Sequence, residues 1–160
     1  METQPVRCLI LTCGNTLRGD DGVGPHLASW AGQQLGNVAG LRVVSRQQWT
    51  PELAEDLARA ETAIFIDCSL ALPAGTTILQ QVAAAREATG AQTHQLDAGE
   101  LLALAKSLYG SLPRETLLLT MGAGSVEIGE QFSAAVEAAL PGAQALLEDT
   151  VERLAGKCRG

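Results

Sequence analysis

The stretch that most constrains the fold of this chain runs from Cys8 to His26. It begins with a short apolar run, which is typical of a buried strand, and then crosses a polar loop that contains glycine and asparagine. Two adjacent carboxylates follow, Asp20 and Asp21, and a helix is predicted to begin at Pro25 because proline is favoured in the first helical turn. Open α/β sheets build their sites from this succession of strand, loop and helix. We therefore predict a functional site beside the acidic pair.

Short apolar runs alternate with helical patterns along the rest of the chain, as in α/β domains. The predicted strands are residues 6–13, 41–45, 63–67, 76–82 and 115–121. The predicted helices are residues 25–35, a helix that Thr50 caps, residues 96–108, and two helices, 132–140 and 142–154, separated by Pro141. Residues 83–93 suit a loop with one helical turn. Only a short loop precedes strand 76–82, whereas a parallel crossover needs a dozen or more residues, so this strand is expected to run antiparallel at an edge. The predicted fold class is a three-layer α/β/α sandwich with a mostly parallel, twisted sheet.

The composition supports this class of fold and excludes others. The chain has 160 residues, which suits a single domain over residues 1–160. It is 46% hydrophobic but only 3% aromatic, and such an aliphatic core suits a parallel sheet covered by helices. The net charge of -7 argues against a nucleic-acid partner. We find neither a signal peptide nor the ~20 apolar residues of a membrane-spanning helix, so a cytoplasmic protein without membrane insertion is expected.

The four cysteines form no CxxC pair and show no zinc-site spacing. Cys8, Cys13 and Cys68 fall in or beside predicted strands, where a thiol usually packs as a small buried hydrophobic group.

Three residues are candidate ligands of a metal ion, namely Asp21, Asp67 and His94. Asp67 ends a strongly apolar strand, where a charge is unfavourable without a partner. Strands one and three are commonly neighbours in doubly wound sheets, which would bring Asp21 and Asp67 close together. One imidazole and two carboxylates suit nickel, zinc or iron(II), with positions left for substrate or water. Each residue also has a simpler interpretation, since acidic pairs often cap helices and a lone histidine often lies at the surface.

Residues 14–24 read G-N-T-L-R-G-D-D-G-V-G and closely resemble the G-N-x-L-x-x-D-[DE]-G-x-G signature of the [NiFe]-hydrogenase maturation endopeptidases. The resemblance continues through I-F-I-D at Asp67, the following P-A-G turn, and T-H-Q-L at His94, so it covers most of the chain in order. It implies that Asp21, Asp67 and His94 bind the metal, and that Asp20 orders the loop instead. It also implies a five-stranded sheet, with one antiparallel strand, between layers of helices.

The resemblance further implies an activity. The enzyme would recognise the precursor of a [NiFe]-hydrogenase large subunit after nickel insertion and remove its C-terminal extension by one endoproteolytic cut. The nickel would belong to the substrate, and the resting enzyme would hold no tightly bound metal. In one hypothesis this nickel polarises the scissile carbonyl or activates a water, and Asp21 or Asp67 assists proton transfer. In the other, the metal only positions the peptide.

Three other functions fit parts of this pattern. A non-enzymatic nickel-binding chaperone would use the same three residues but would hold metal without substrate. A phospho-acceptor receiver domain would need its acids directly at the end of strand one and a lysine after the last strand, where this chain has Met121-Gly122-Ala123-Gly124. A nucleotide-binding module would need a phosphate loop where this chain carries acids. Residues 45–50, S-R-Q-Q-W-T, differ from the glycine-rich segment of many family members, which leaves the hydrogenase served undetermined.

Overall fold

Five strands form one sheet in a computed structural model, which describes residues 5–85 and 96–156. The strands are β1 (Cys8–Cys13), β2 (Leu41–Arg46), β3 (Thr62–Ser69), β4 (Thr77–Gln81) and β5 (Glu115–Gly122). Their order across the sheet is β2-β1-β3-β5-β4. Strand β1 lies between β2 and β3, both parallel to it, and β3 is also parallel to β5. The predicted fold class is confirmed, including the adjacency of strands one and three.

Strand β4 is the one antiparallel member of the described sheet, and it pairs with β5 at the sheet edge. The chain covers the distance from β3 to β4 in seven residues, 70–76, which is too short for a helical crossover. The prediction of an antiparallel edge strand is therefore confirmed.

Helices cover both faces of the sheet. The helices are α1 (Val23–Gln34), α2 (Leu53–Arg59), α3 (Ala98–Tyr109) and α4 (Ala134–Ala155), and a short 3-10 helix, Gly19–Gly22, precedes α1. One core cluster joins α1 and α4 to the sheet, and a second joins α2 and α3 to its other face. Strand β3 shows the alternation, since Ile64 and Ile66 belong to the first cluster whereas Phe65 belongs to the second. None of the described helices combines the length and hydrophobicity needed to cross a membrane.

Helix α4 corrects one prediction, because it continues through Pro141 instead of breaking there. A proline inside a helix costs about 3 kcal/mol, since it removes a hydrogen bond and crowds the preceding turn. Leu140, Ala143 and Leu147, on both sides of the proline, are all buried in the first core cluster. Burying leucine side chains contributes about 1.5–3 kcal/mol each, which outweighs the local penalty.

Two smaller predictions were also wrong. Helix α2 begins at Leu53 and not at the residue after Thr50, whose hydroxyl is buried without a hydrogen-bond partner among the described residues. The chain turns first through backbone hydrogen bonds, from Leu53 N–H to the Thr50 carbonyl and from Ala54 N–H to the Pro51 carbonyl. Helical spacing also predicts Leu108 on the inner face of α3 with Leu101 and Ala105, but Leu108 is 60% exposed near the last turn of that helix.

Candidate active site

Two glycines allow the loop after β1 to fold back against the strand. Gly14 has φ +146°, and a Cβ there would lie 2.0 Å from the carbonyl oxygen of Asp21. A Cβ on Gly24 would lie 2.5 Å from the carbonyl oxygen of Cys13. Larger residues would therefore push the 3-10 helix and the start of α1 away from the strand end. These contacts explain physically why glycine occupies both positions.

Asp21 is held with its carboxylate at the carboxyl edge of the sheet. The backbone N–H of Asn15 donates to its Oδ2 at 2.7 Å, which ties the acid to the loop that follows β1. The thiol of Cys68, at the end of β3, donates to its Oδ1 at 3.4 Å. Each carboxylate oxygen thus has one protein donor and retains lone-pair capacity for a further partner.

Asp67 lies near the end of β3 and lines the same cavity as Asp21. This cavity has a volume of about 370 Å³. Besides the two acids it is lined by Cys13, Gly14, Asn15, Arg18, Gln47, Gln48, Cys68, Leu70 and Val126. The sequence prediction that Asp21 and Asp67 come together agrees with this geometry, while their service as metal ligands stays a prediction.

The two acids approach the cavity from opposite sides of the sheet. Asp21 contacts Cys68, which packs against the α1/α4 cluster. Asp67 neighbours Cys68 in the strand, so the alternation of side chains directs it to the face that carries Phe65. That face also carries Leu96, where the described chain resumes and whose N–H donates to the Trp49 carbonyl. Both carboxylates therefore face one cavity at the carboxyl ends of the strands.

Asp67 has an altered acidity. Burial, followed by repulsion from the neighbouring Asp21 carboxylate, raises the pKa of Asp67 from 3.8 to about 6. A cation between the two acids would act in the opposite direction and favour the ionised form. The group therefore accepts or releases a proton close to neutral pH, as a general base or a pH-sensitive ligand does.

We expect Asp67→Asn to stabilise the fold at neutral pH by about 1–2 kcal/mol. The folded protein binds the Asp67 proton more tightly than the unfolded chain does. The contribution of this carboxyl to stability is therefore present below about pH 4 and is lost as the pH rises through about 6. An amide carries no charge and avoids that loss.

Urea unfolding of wild type and Asp67→Asn across this pH range measures the effect. The difference in unfolding free energy should be largest at neutral pH and should shrink in acid. Asp149→Asn, the same chemical change on the exposed side of α4, should leave the stability almost unchanged. Equal or lower stability of the Asp67 variant at neutral pH would contradict the raised pKa.

Their surroundings keep the two thiols in the cavity in the weakly nucleophilic, protonated form. Burial, then the hydrogen bond and charge of Asp21, raise the pKa of Cys68 to about 12. Burial and the neighbouring acids also raise the pKa of Cys13. Both groups stay protonated at neutral pH, and a thiol is a far weaker nucleophile than a thiolate. Only Cys8 is fully buried, as the sequence led us to expect of all three; Cys13 and Cys68 are half-buried and line the cavity.

Asp20 has a structural role that differs from that of its neighbour. It is fully buried, and its carboxylate accepts four hydrogen bonds. They come from the backbone of Gly124 (2.6 Å), Ser125 (3.1 Å) and Ser133 (2.7 Å), and from the Ser133 hydroxyl (2.8 Å). Burial opposes the ionised form, yet these donors hold the pKa of Asp20 below its ordinary value. The expectation that Asp20 orders the loop agrees with these contacts.

His94, the third predicted ligand, lies outside the described residues. Within residues 5–85 and 96–156 there is no group of three His, Cys, Asp or Glu side chains placed to hold a metal ion. The ligand set of Asp21, Asp67 and His94 therefore stays a prediction. Sequence reasoning missed Cys68 and Asn15, which hold Asp21. Asn15 belongs to the motif of residues 14–24 and Cys68 follows Asp67 directly, but nothing in the local sequence shows that either donates to Asp21.

The chain has the α/β fold of the hydrogenase maturation endopeptidases. This shared fold confirms the resemblance to that family that residues 14–24 show in the sequence. It is similar to the hydrogenase maturating endopeptidase HybD from E. coli, with 19% identity over 92% of this chain and 93% of that one and a TM-score of 0.72. A hydrogenase 2 maturation peptidase from a Thaumarchaeota archaeon shares 28% identity, over 91% and 97% of the chains, with a TM-score of 0.64. The [NiFe] hydrogenase maturation protease HycI from Thermococcus kodakarensis shares 21% sequence identity over 92% of this chain and 93% of that one, with a TM-score of 0.68. No protein-family model and no curated protein matches the sequence.

Proposed function

We propose that this chain is a cytoplasmic endopeptidase that removes the C-terminal extension of a nickel-loaded [NiFe]-hydrogenase large-subunit precursor. In this proposal Asp21, Asp67 and His94 recognise the nickel that the precursor carries. The metal is part of the substrate, and the enzyme needs no resident ion.

The observation that carries the proposal is the pairing of Asp21 and Asp67 in one cavity at the carboxyl edge of the sheet. They come from separate elements, and Asp21 is oriented by two donors. Two half-buried carboxylates repel each other, and a cation between them relieves that repulsion. The fold shared with solved hydrogenase maturation proteases supports the nickel of a hydrogenase precursor as that cation.

The residues of the site suggest how the cut is made. Asp21 has a fixed orientation, which suits a metal-positioning ligand. Asp67 has a pKa of about 6, which suits a group that takes a proton from an attacking water and returns it to the leaving amine. The thiols are protonated, so water is a better candidate nucleophile than cysteine. The alternative, in which the metal only positions the peptide, uses the same ligands but assigns no proton transfer to Asp67.

Nickel-loaded and nickel-free precursors of candidate large subunits provide the test. Each is incubated with the protein, and loss of a C-terminal fragment is followed by mass spectrometry. We expect cleavage of the nickel-loaded form only, because the ion completes the recognition of the substrate by the carboxylates.

Two outcomes would contradict the proposal in different ways. Equal cleavage of both forms would show that nickel is not what the site recognises. Absence of cleavage, together with tight stoichiometric nickel binding by the isolated protein, would favour a nickel-binding chaperone instead.

A further inference from the structure

The carboxylate cavity continues into a second cavity along its wall. The second cavity has a volume of about 710 Å³ and is lined by Asn15, Leu17, Arg18, Val126, Glu127 and Ile128. Asn15, Arg18 and Val126 line both cavities, so they form one continuous surface. A polypeptide whose scissile bond lies at Asp21 and Asp67 has this second cavity within reach.

This continuous surface carries an apolar rim, consisting of Leu17, Leu70, Val126 and Ile128. Six large apolar side chains in the described residues are exposed, and three of them belong to the rim. These are Leu17 (55% exposed), Leu70 (66%) and Ile128 (95%). Single exposed apolar residues are ordinary at protein surfaces, whereas a cluster beside a cavity marks an interaction site.

Hydrogen bonds fix the two loops that carry most of the rim. The Gly129 N–H donates to the Leu17 carbonyl at 2.8 Å, and the Gly19 N–H donates to the Gly129 carbonyl at 2.7 Å. Arg18 Nε donates to the Val126 carbonyl at 3.2 Å. Behind these contacts, the buried Asp20 carboxylate holds Ser125. Ile128 is thus presented on a loop that is already ordered, which reduces the entropy lost when a partner binds.

We infer that the apolar rim binds the precursor segment next to the scissile bond, through a large apolar side chain of that segment. This inference rests on the proposed function and names a specificity surface for it. Charge narrows the occupant further, since the charged residues among the described linings of the two cavities are three acids, Asp21, Asp67 and Glu127, and one cation, Arg18. The rim therefore favours an apolar segment flanked by neutral or basic residues, while the carboxylates attract the cationic metal.

The test compares Ile128→Ser with Leu108→Ser, a matched change at an exposed leucine on α3 that lines neither cavity. Two quantities are measured for each variant. The first is the KM for cleavage of nickel-loaded precursor, and the second is the Kd of the precursor, obtained by calorimetry. We expect Ile128→Ser to raise KM and Kd by about tenfold with kcat almost unchanged, and Ile128→Leu to restore them. Leu108→Ser should match wild type.

The outcomes separate the two proposals. Unchanged KM and Kd in Ile128→Ser, with normal cleavage by wild type, would overturn the role of the rim and leave the proposed function intact. Binding that weakens in Ile128→Ser without cleavage by any form would support the rim and overturn the endopeptidase. Neither binding nor cleavage by wild type would overturn both.

Discussion

Replacing Asp21 or Asp67 with asparagine is expected to lower the rate of precursor processing by about 10²–10⁴-fold. The amide keeps the shape of each side chain but removes the negative charge that a metal ligand or proton acceptor requires. The same loss is expected for substitution of His94, which the sequence predicts as the third ligand.

The two aspartate variants differ in a way that distinguishes site from fold. Asp67→Asn is expected to be more stable than wild type at neutral pH, so a loss of processing cannot be attributed to unfolding. Asp21→Asn loses acceptor strength towards the Asn15 N–H and the Cys68 thiol, and should disturb the loop after β1 slightly more.

Processing is measured as release of the C-terminal fragment from nickel-loaded precursor, with circular dichroism as the check on folding. Asp149→Asn, on the exposed side of α4, supplies the same chemical change away from the cavity and should process at the wild-type rate. If all three site variants still process precursor normally, the assignment of the site is wrong.

The second large effect is expected from Asp20→Ala, which should destabilise the fold by about 3–5 kcal/mol. Asp20 is fully buried and accepts from Gly124, Ser125 and Ser133. Removing the carboxylate leaves three backbone donors and a hydroxyl without their acceptor, and each unsatisfied buried group costs about 1–3 kcal/mol. Domains of this size are stable by only about 5–15 kcal/mol, so the loss is a large fraction of the total.

Ser133→Ala is a graded control for this prediction. The Ser133 hydroxyl donates to Asp20 and also accepts from the Val136 N–H, as the N-cap of α4. Its removal should cost about 1–2 kcal/mol and leave the backbone donors to Asp20 in place. Thermal or urea unfolding measures both variants. Similar stability of Asp20→Ala and wild type would show that water replaces the carboxylate at this site.

Asp20 and Asp21 illustrate how neighbouring residues of one type acquire different roles. In the sequence they are equivalent carboxylates in one motif, and only the resemblance to a family suggested a difference. In the structure, Asp20 contacts residues more than 100 positions away, whereas Asp21 faces the cavity. The partners of Asp20 could not be identified from local sequence because the packing of α4 and the loop after β5 brings them there.

The fold was largely predictable because its signals are local. An apolar run bounded by loop residues indicates a strand, helical spacing indicates a helix, and a seven-residue connection between strands β3 and β4 excludes a parallel crossover. The errors lie where local preference and burial compete. Pro141 predicts a helix break, but the burial of Leu140 and Leu147 stabilises a continuous helix. Thr50 resembles a helix N-cap but precedes a turn.

The sequence by itself determined the α/β architecture, the antiparallel edge strand and the two acids at the strand ends, because hydrophobic periodicity and loop length act over a few residues. Tertiary structure alone decided which acid is buried as a support, which thiol contacts Asp21, and which apolar side chains surround the cavity. Those outcomes depend on contacts between segments distant in the chain, which form only when the helices have packed on the sheet.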